Sequence, residues 1–274
     1  MFKIINKQKL ASQVTQLEIE APIIAQKASP GQFVAVINNP SGERIPLTLA
    51  DWDKQKGTIT LIFQEVGFST GQLASRNIQD SIEHILGPLG HPTEIKNFGR
   101  VICIGGGVGI AEVFPVSRAF KQAENEVIGV IGARNKELLI LENQMQQVCN
   151  QLYVATDDGS YGRKGFVTDI LKEILADKTG KQADLIYAIG PVVMMRAVSE
   201  ITRQLRIPTM VSLNPIMVDA TGMCGACRCT VGGEAKFACV DGPDFDAHQV
   251  DFVELEKRIN QFKEQEEKIK KLSG

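Results

Sequence analysis

The sequence predicts a β + α/β chain: an antiparallel barrel, then a doubly wound parallel sheet, then a small cysteine-bearing segment and a C-terminal helix. Three observations predict it. Short β-type runs separated by turn signals fill Phe2 to about Pro92, as in small antiparallel barrels. From Arg100 onward, continuous apolar runs alternate with helical stretches, the texture of a parallel sheet covered on both faces. Four of the six cysteines then crowd into Cys224 to Cys239.

The barrel strands are read from VTQLEIE, QFVAVIN, GTITLIFQEV and SIEHILGPLG, with Pro-Gly, Ser-Gly and Lys-Gly signals between them. In the second region RVICIG leads to a helix from about Ile110, and EVIGVIGA to a helix across Glu137 to Gln151. LYVATDD leads to a helix from Phe166, and DLIYAIG to one from Val192. After Pro208, TMVSLNPIMV reads as one more strand. In the last stretch Asp251 and Glu254 form a capping box, and Phe252, Leu255, Ile259, Phe262, Ile269 and Leu272 make an apolar stripe. The expected division is 1–97 barrel, 98–212 α/β domain, 213–250 cysteine segment and 251–274 helix.

Charge and cysteine usage exclude several classes. A net charge of -2 gives no electrostatic reason to expect nucleic acid or an anionic membrane as partner. No segment approaches the roughly 20 apolar residues of a membrane span, and the N-terminus lacks a signal-peptide run. Clustered cysteines read as metal ligation rather than a disulfide framework, which places the chain in a reducing cytoplasm.

Asp219, Cys224, Cys227 and Cys239 stand in the spacing D-x4-C-x2-C-x11-C. A 2Fe-2S cluster is commonly held by C-x4-C-x2-C and a distant fourth cysteine, so the first ligand reads as aspartate in place of cysteine. The bland alternative is a structural zinc on Cys224, Cys227, Cys229 and Cys239. In the cluster reading Cys229 is a buried, non-ligating thiol.

Gly105-Gly106-Gly107-Val108-Gly109 follows a strand and opens a helix, where backbone can approach a pyrophosphate. The run does not fit G-x-G-x-x-G. Gly132-Ala133-Arg134, Asp157-Asp158-Gly159-Ser160 and the turn from Gly190 to Met195 fall at the carboxyl ends of later strands, where such sheets place ligands. Arg134 suits an adenine ribose or a 2'-phosphate and leaves NAD against NADP open. Met194 and Met195 read as packing. In the barrel, Arg44-Ile45-Pro46-Leu47-Thr48 enters a strand and Val66 to Gly71 begins a helix. Arginine suits a flavin pyrophosphate, a hydroxyl suits the ring edge, and a helix start supplies N–H groups.

In this order the motifs resemble the ferredoxin-NADP+ reductase superfamily, in the branch holding the electron-transfer subunit of dihydroorotate dehydrogenase and the small subunit of NADH-dependent ferredoxin:NADP+ oxidoreductase. The resemblance covers about residues 1 to 250 and implies an oxidoreductase subunit with FAD, a 2Fe-2S cluster and NAD(H). By resemblance, Arg44, Pro46, Leu47, Thr48, Gly67, Ser69 and Thr70 touch FAD, with Thr48 at flavin N5. Gly107, Val108, Gly109, Arg134, Asp158 and Gly190 line the nucleotide site, and Asp219, Cys224, Cys227 and Cys239 hold the cluster. The aspartate and the run C-V-D-G-P are similar to the bifurcating oxidoreductase, whereas the dihydroorotate subunit is expected to use four cysteines. The implied partner is a larger flavin and iron-sulfur subunit related to the small subunit of glutamate synthase, with ferredoxin reached through it. Alternatives are an electron-transfer subunit of dihydroorotate or sulfide dehydrogenase, and a non-catalytic scaffold. Two departures stand: Glu112 replaces a frequent proline in the first helical turn, and Pro46 replaces the tyrosine that often follows the flavin arginine.

Overall fold

The computed structural model describes residues 2–39, 42–177 and 181–265, and these form two compact units. The first comprises Met1–Pro92, Asn214–Pro243 and Asp251–Gly274, and the second Thr93–Leu213 and Asp244–Val250. The 213–250 stretch is thus divided between the units, because Asp244–Asp246 pairs as a strand with the second unit's sheet.

The first unit holds β1 (Phe2–Ala11), β2 (Val14–Glu20), β3 (Phe33–Ile37), β4 (Arg44–Asp53), β5 (Thr58–Gln64), β6 (Ser81–Ile82) and β7 (His84–Leu89). They form one antiparallel sheet in the order β6-β1-β2-β5-β4-β3-β7. The two edge strands are consecutive in sequence, joined at Glu83, so the sheet curls back on itself as a nearly closed barrel. Alternation sorts each strand: along β4, Ile45, Leu47 and Leu49 face the core while Arg44, Pro46 and Thr48 lie on the other face. The core of Ile4, Leu17, Ile19, Val34, Leu49, Ile59 and Leu61 is closed by Ile24 and Ala25 of α1 (Pro22–Lys27) and Leu73 of α2 (Phe68–Ser75). Each such aliphatic side chain removed from water contributes roughly 1.5–3 kcal/mol.

The second unit holds β8 (Arg100–Gly106), α3 (Gly109–Gln122), β9 (Glu126–Ala133), α4 (Glu142–Val148), β10 (Gln151–Thr156), β11 (Arg163–Lys164), α5 (Val167–Ala176), β12 (Leu185–Ile189), α6 (Val192–Leu205) and β13 (Thr209–Ser212). The chain then forms the hairpin of β14 (Arg228–Val231) and β15 (Glu234–Phe237) in the first unit. Next come β16 (Asp244–Asp246) in the second and α7 (Phe252–Ile259) in the first. The second sheet runs β11-β10-β9-β8-β12-β13-β16, parallel except for the β16 edge. Val101, Ile102, Cys103 and Ile104 of β8 are wholly buried, which is why that strand reads as an unbroken apolar run.

Three expected elements differ. The helix across Glu137 to Gln151 is a 3-10 turn at Lys136–Leu138 followed by the shorter α4, because Leu141 takes a left-handed φ of 55° and the chain re-enters the sheet at Gln151. TMVSLNPIMV yields only the four residues of β13; its last residues run on without regular structure into the cysteine segment. The capping box at α7 is half made: Asp251 Oδ1 accepts from Glu254 N–H at 2.9 Å, whereas the Asp251 N–H donates to the Thr230 carbonyl at 2.9 Å. Ile269 and Leu272 of the expected stripe lie outside the described residues. No helix among the described residues is long and apolar enough to cross a membrane.

Candidate functional site

In the barrel, the structure brings the two sequence motifs together. The Ser69 hydroxyl at the start of α2 donates to the Glu43 carboxylate beside Arg44, and Arg76 at its end donates through Nη2 to the Asn38 carbonyl at 2.9 Å. Gly67 precedes α2 with nothing within 4 Å of where a Cβ would stand, so open space lies over that helix start. Thr70 turns back to cap it, its Oγ1 accepting from the Val66 and Gly67 N–H groups at 3.2 and 3.1 Å. Pro46 and Thr48 share the half-exposed face of β4, while the Leu47 side chain points into the core and leaves only its backbone to a ligand.

In the second unit, β8 leads through α3 to β9 on one side and β12 leads through α6 to β13 on the other, so the switch point lies between β8 and β12. Gly105 is paired there with Ile189, and Gly190 follows. Gly109 allows the closest approach: a Cβ would stand 2.5 Å from the Ile189 carbonyl oxygen and 2.9 Å from the Gly190 Cα. Gly107 has a φ of 58° with open space where a Cβ would be, and Val108 precedes the first turn of α3. Met194 packs on the turn, its Sδ 2.5 Å from where a Gly106 Cβ would stand, and Met195 is wholly buried. Glu112 is half-buried in the first turn of α3.

The next turns are stitched alongside. The Gly107 N–H donates to the Gly132 carbonyl at 2.8 Å, and the Asp158 N–H to the Arg134 carbonyl at 3.2 Å. The Arg134 side chain is exposed. The Asp158 carboxylate accepts from the Ser160 N–H at 2.9 Å, the first cause holding it below the usual carboxylate range.

The cysteine segment folds onto the first unit. Cys227 and Cys239 are buried with their sulfurs 3.2 Å apart. Cys224 is exposed and accepts from the Ala226 N–H at 3.5 Å. That bond, then the Asp219 backbone N–H, holds its thiol below the ordinary range, so the loop favours an anionic sulfur there. Asp219 Oδ2 accepts from both the N–H and the hydroxyl of Thr221. Its Oδ1 and its carbonyl oxygen each accept from Arg44 Nη1 at 2.5 Å. Left-handed φ values at Ala220 (64°), Gly222 (87°) and Gly225 (68°) make the loop's turns. Arg258 on α7 braces it, Nη2 donating to the Ala226 carbonyl at 3.1 Å. Cys229 is buried in β14, its thiol facing the Lys236 carbonyl and pushed up to about 12, first by burial. Burial likewise pushes Cys239 up to about 12, ahead of Cys227, and a coordinated metal reverses such a shift outright. Among the described residues no three Cys, His, Asp or Glu side chains converge on a single ion; Cys227 and Cys239 meet as a pair. One pair of soft sulfurs, with N–H groups turned to a third thiol at Cys224, fits an iron-sulfur cluster.

Sequence reasoning missed Arg258 and the link from Arg44 to Asp219, which are contacts across 32 and 175 residues with no local signal. The packing of Met194 on the glycine turn and the burial of Met195 agree with their reading as packing residues.

These parts define a class: an NAD(P)H-dependent flavin and iron-sulfur oxidoreductase subunit that transfers electrons. Residues 103–200 match the oxidoreductase NAD-binding domain, and residues 214–251 the iron-sulfur cluster binding domain of dihydroorotate dehydrogenase B. The chain belongs to the family of dihydroorotate dehydrogenase B electron-transfer subunits and their homologues. It is 45% identical to the homologue from Thermotoga maritima, covering 96% of this chain and 92% of that protein. It is 31% identical to the subunit of Geobacillus thermodenitrificans, covering 90% and 96%. Among solved structures, it is similar to a chain of the NADH-dependent reduced ferredoxin-NADP oxidoreductase, with 43% identity, a TM-score of 0.92, and coverage of 97% of this chain and 95% of that one. A cytochrome P450 reductase from Amycolatopsis, at 20% identity and a TM-score of 0.62 over 75% of this chain and 66% of its own, shares the fold alone.

Proposed function

We propose that the chain is the NAD(H)-linked electron-transfer subunit of a complex of the NADH-dependent reduced ferredoxin-NADP oxidoreductase type. The observation that carries this reading is Asp219 at the head of the ligand loop, held at both carboxylate oxygens. By resemblance, an aspartate there separates the oxidoreductase from the four-cysteine dihydroorotate subunits.

FAD, when bound, exchanges a hydride with nicotinamide and single electrons with the cluster, since nicotinamide moves two electrons and a 2Fe-2S centre one. The chain's own residues bind and orient. In the region of residues 1–97, Pro46, Thr48 and the Leu47 backbone line the flavin edge, with the Thr48 hydroxyl directed to N5. Gly67, Ser69 and Thr70 form the phosphate end, where the start of α2 offers N–H groups. In the region of residues 98–212, Gly107, Val108 and Gly109 receive a pyrophosphate at the start of α3, and Gly190 lets it approach. Arg134 and Asp158 take the adenosine side. In the region of residues 213–250, Asp219, Cys224, Cys227 and Cys239 would hold the 2Fe-2S cluster, which would supply one-electron transfer. A larger flavin and iron-sulfur subunit receives the electrons and connects them with ferredoxin.

The test is anaerobic. The purified chain with its FAD and cluster, mixed with NADH, should bleach the flavin and develop the electron paramagnetic resonance signal of a reduced 2Fe-2S centre. Affinity-tagged chain should bring down a larger subunit with cysteine-rich cluster motifs. Recovery with a dihydroorotate-oxidising TIM barrel would overturn the assignment, and no bleaching by NADH or NADPH would leave a scaffold.

A further inference from the structure

We propose that Arg44 is a positioning residue for the iron-sulfur centre, raising its reduction potential by gripping the ligand Asp219, rather than the anchor of the flavin pyrophosphate. This rests on the reading of Asp219 as a ligand.

One guanidinium nitrogen of Arg44 donates to both the backbone carbonyl and Oδ1 of Asp219, each at 2.5 Å. It fixes the ligand residue at its backbone and at its head together. Thr221 supplies two donors to Oδ2. A carboxylate oxygen accepts along two directions, so Oδ2 is filled while Oδ1 retains one. Iron bound through Oδ1 therefore leaves the Arg44 contact intact. Both side chains are about a third exposed or less, at 34% and 27%, so the pair is partly shielded from solvent.

The strand explains why the arginine is available for this. Arg44, Pro46 and Thr48 lie on one face of β4, and Arg44 and Thr48 are about 13 Å apart along an extended strand. From Arg44 to Thr48, β4 is paired residue by residue with β3, and it so acts as a stiff spacer between the hydroxyl assigned to the flavin edge and the grip on the ligand loop. A positive charge hydrogen-bonded to a ligand withdraws electron density and favours the reduced cluster, which carries one more negative charge. Arg44 thus makes the centre a better acceptor of single electrons.

The experiment is a redox titration of the full chain, loaded with FAD and cluster, followed by the resonance signal of the reduced centre, with FAD content measured on each sample. It compares wild type with Arg44→Gln, Arg44→Lys, Asp219→Cys and the Arg44→Gln/Asp219→Cys double variant. Arg44→Gln is expected to lower the reduction equilibrium constant about tenfold, 59 mV for one electron, with FAD content unchanged. Arg44→Lys, which keeps the charge but not the fork, should fall between, and it carries the test if the glutamine variant takes up no cluster. In the Asp219→Cys background the Arg44→Gln effect should vanish. Loss of FAD with an unchanged potential would make Arg44 the flavin anchor and overturn the proposal. Equal shifts in both backgrounds would show a charge acting without Asp219 and also overturn it. If Asp219→Cys itself alters neither potential nor signal, the ligand reading falls, and the proposal with it.

Discussion

Tyr187 on β12 donates its hydroxyl to Asp244 Oδ1 on β16 at 3.0 Å, joining the interior of the parallel sheet to its antiparallel edge. Thr93 donates to the other oxygen at 2.6 Å, so the residue that opens the second unit and the segment that returns to it share one carboxyl group. Burial dominates the balance and pushes Asp244 up to about 6, against the hydrogen bonds from Thr93, Tyr187 and Ser212.

The pH dependence follows from the sign of that shift. A carboxyl raised from its ordinary 3.8 to about 6 binds its proton more tightly folded than unfolded, so its contribution is full below 3.8 and is lost as pH rises through 6. The loss is on the order of 3 kcal/mol. Asp244→Asn keeps the shape and one acceptor oxygen, its NH2 donating to the second hydroxyl, without the charge. The stability difference between wild type and this variant, read by urea unfolding at several pH values, should move in favour of the variant between pH 4 and 7. A difference independent of pH would refute the buried carboxylate.

Gly109 and Gly107 should respond differently to alanine. At Gly109 the new methyl meets the backbone of Ile189 and Gly190, which cannot rotate away, so α3 must shift at a cost of about 1–3 kcal/mol. At Gly107 there is room, and the cost is the left-handed φ of 58°, roughly 1–2 kcal/mol. Gly109→Ala should therefore weaken NADH binding and lower unfolding stability together. Gly107→Ala should weaken NADH binding more than stability, since its methyl occupies the open approach. Equilibrium binding and thermal melts on the same samples separate the two.

Thr48→Val should slow flavin reduction by NADH about fivefold to tenfold, the worth of one hydrogen bond, while FAD content stays at the wild-type level. Thr48→Ser should restore the rate. Stopped-flow bleaching reads it, and a wild-type rate in the valine variant would remove Thr48 from the flavin edge.

Cys229→Ala should retain the cluster and lose about 1–2 kcal/mol from a small buried void, whereas Cys224→Ala should abolish the cluster. Iron and sulfide content with the visible spectrum decide this. Loss of metal in the Cys229 variant would point to the zinc set instead.

Much of the fold was legible because its signals are local. RVICIG, EVIGVIGA and DLIYAIG are apolar throughout since both faces of the sheet are covered, and β4 alternates since only one face is. The helix across Glu137 to Gln151 was not legible, because its periodicity gives no warning that Leu141 turns left-handed to bring the chain back to β10. Glycines and cysteines marked the nucleotide turn and the ligand loop by spacing alone.

The sequence by itself determined the order of the three cofactor motifs, the aspartate at the head of the cysteine loop and the class of protein, since each is a matter of residue type at fixed spacing. Only the tertiary structure decided which neighbours the side chains of these segments meet. It turned Leu47 into the core, divided the C-terminal segment between two units, placed Asp244 under Tyr187, and gave Arg44 to Asp219. The physical reason is that a strand fixes the side to which a residue points but not what stands there, and what stands beside Arg44 arrives from 175 residues further along the chain.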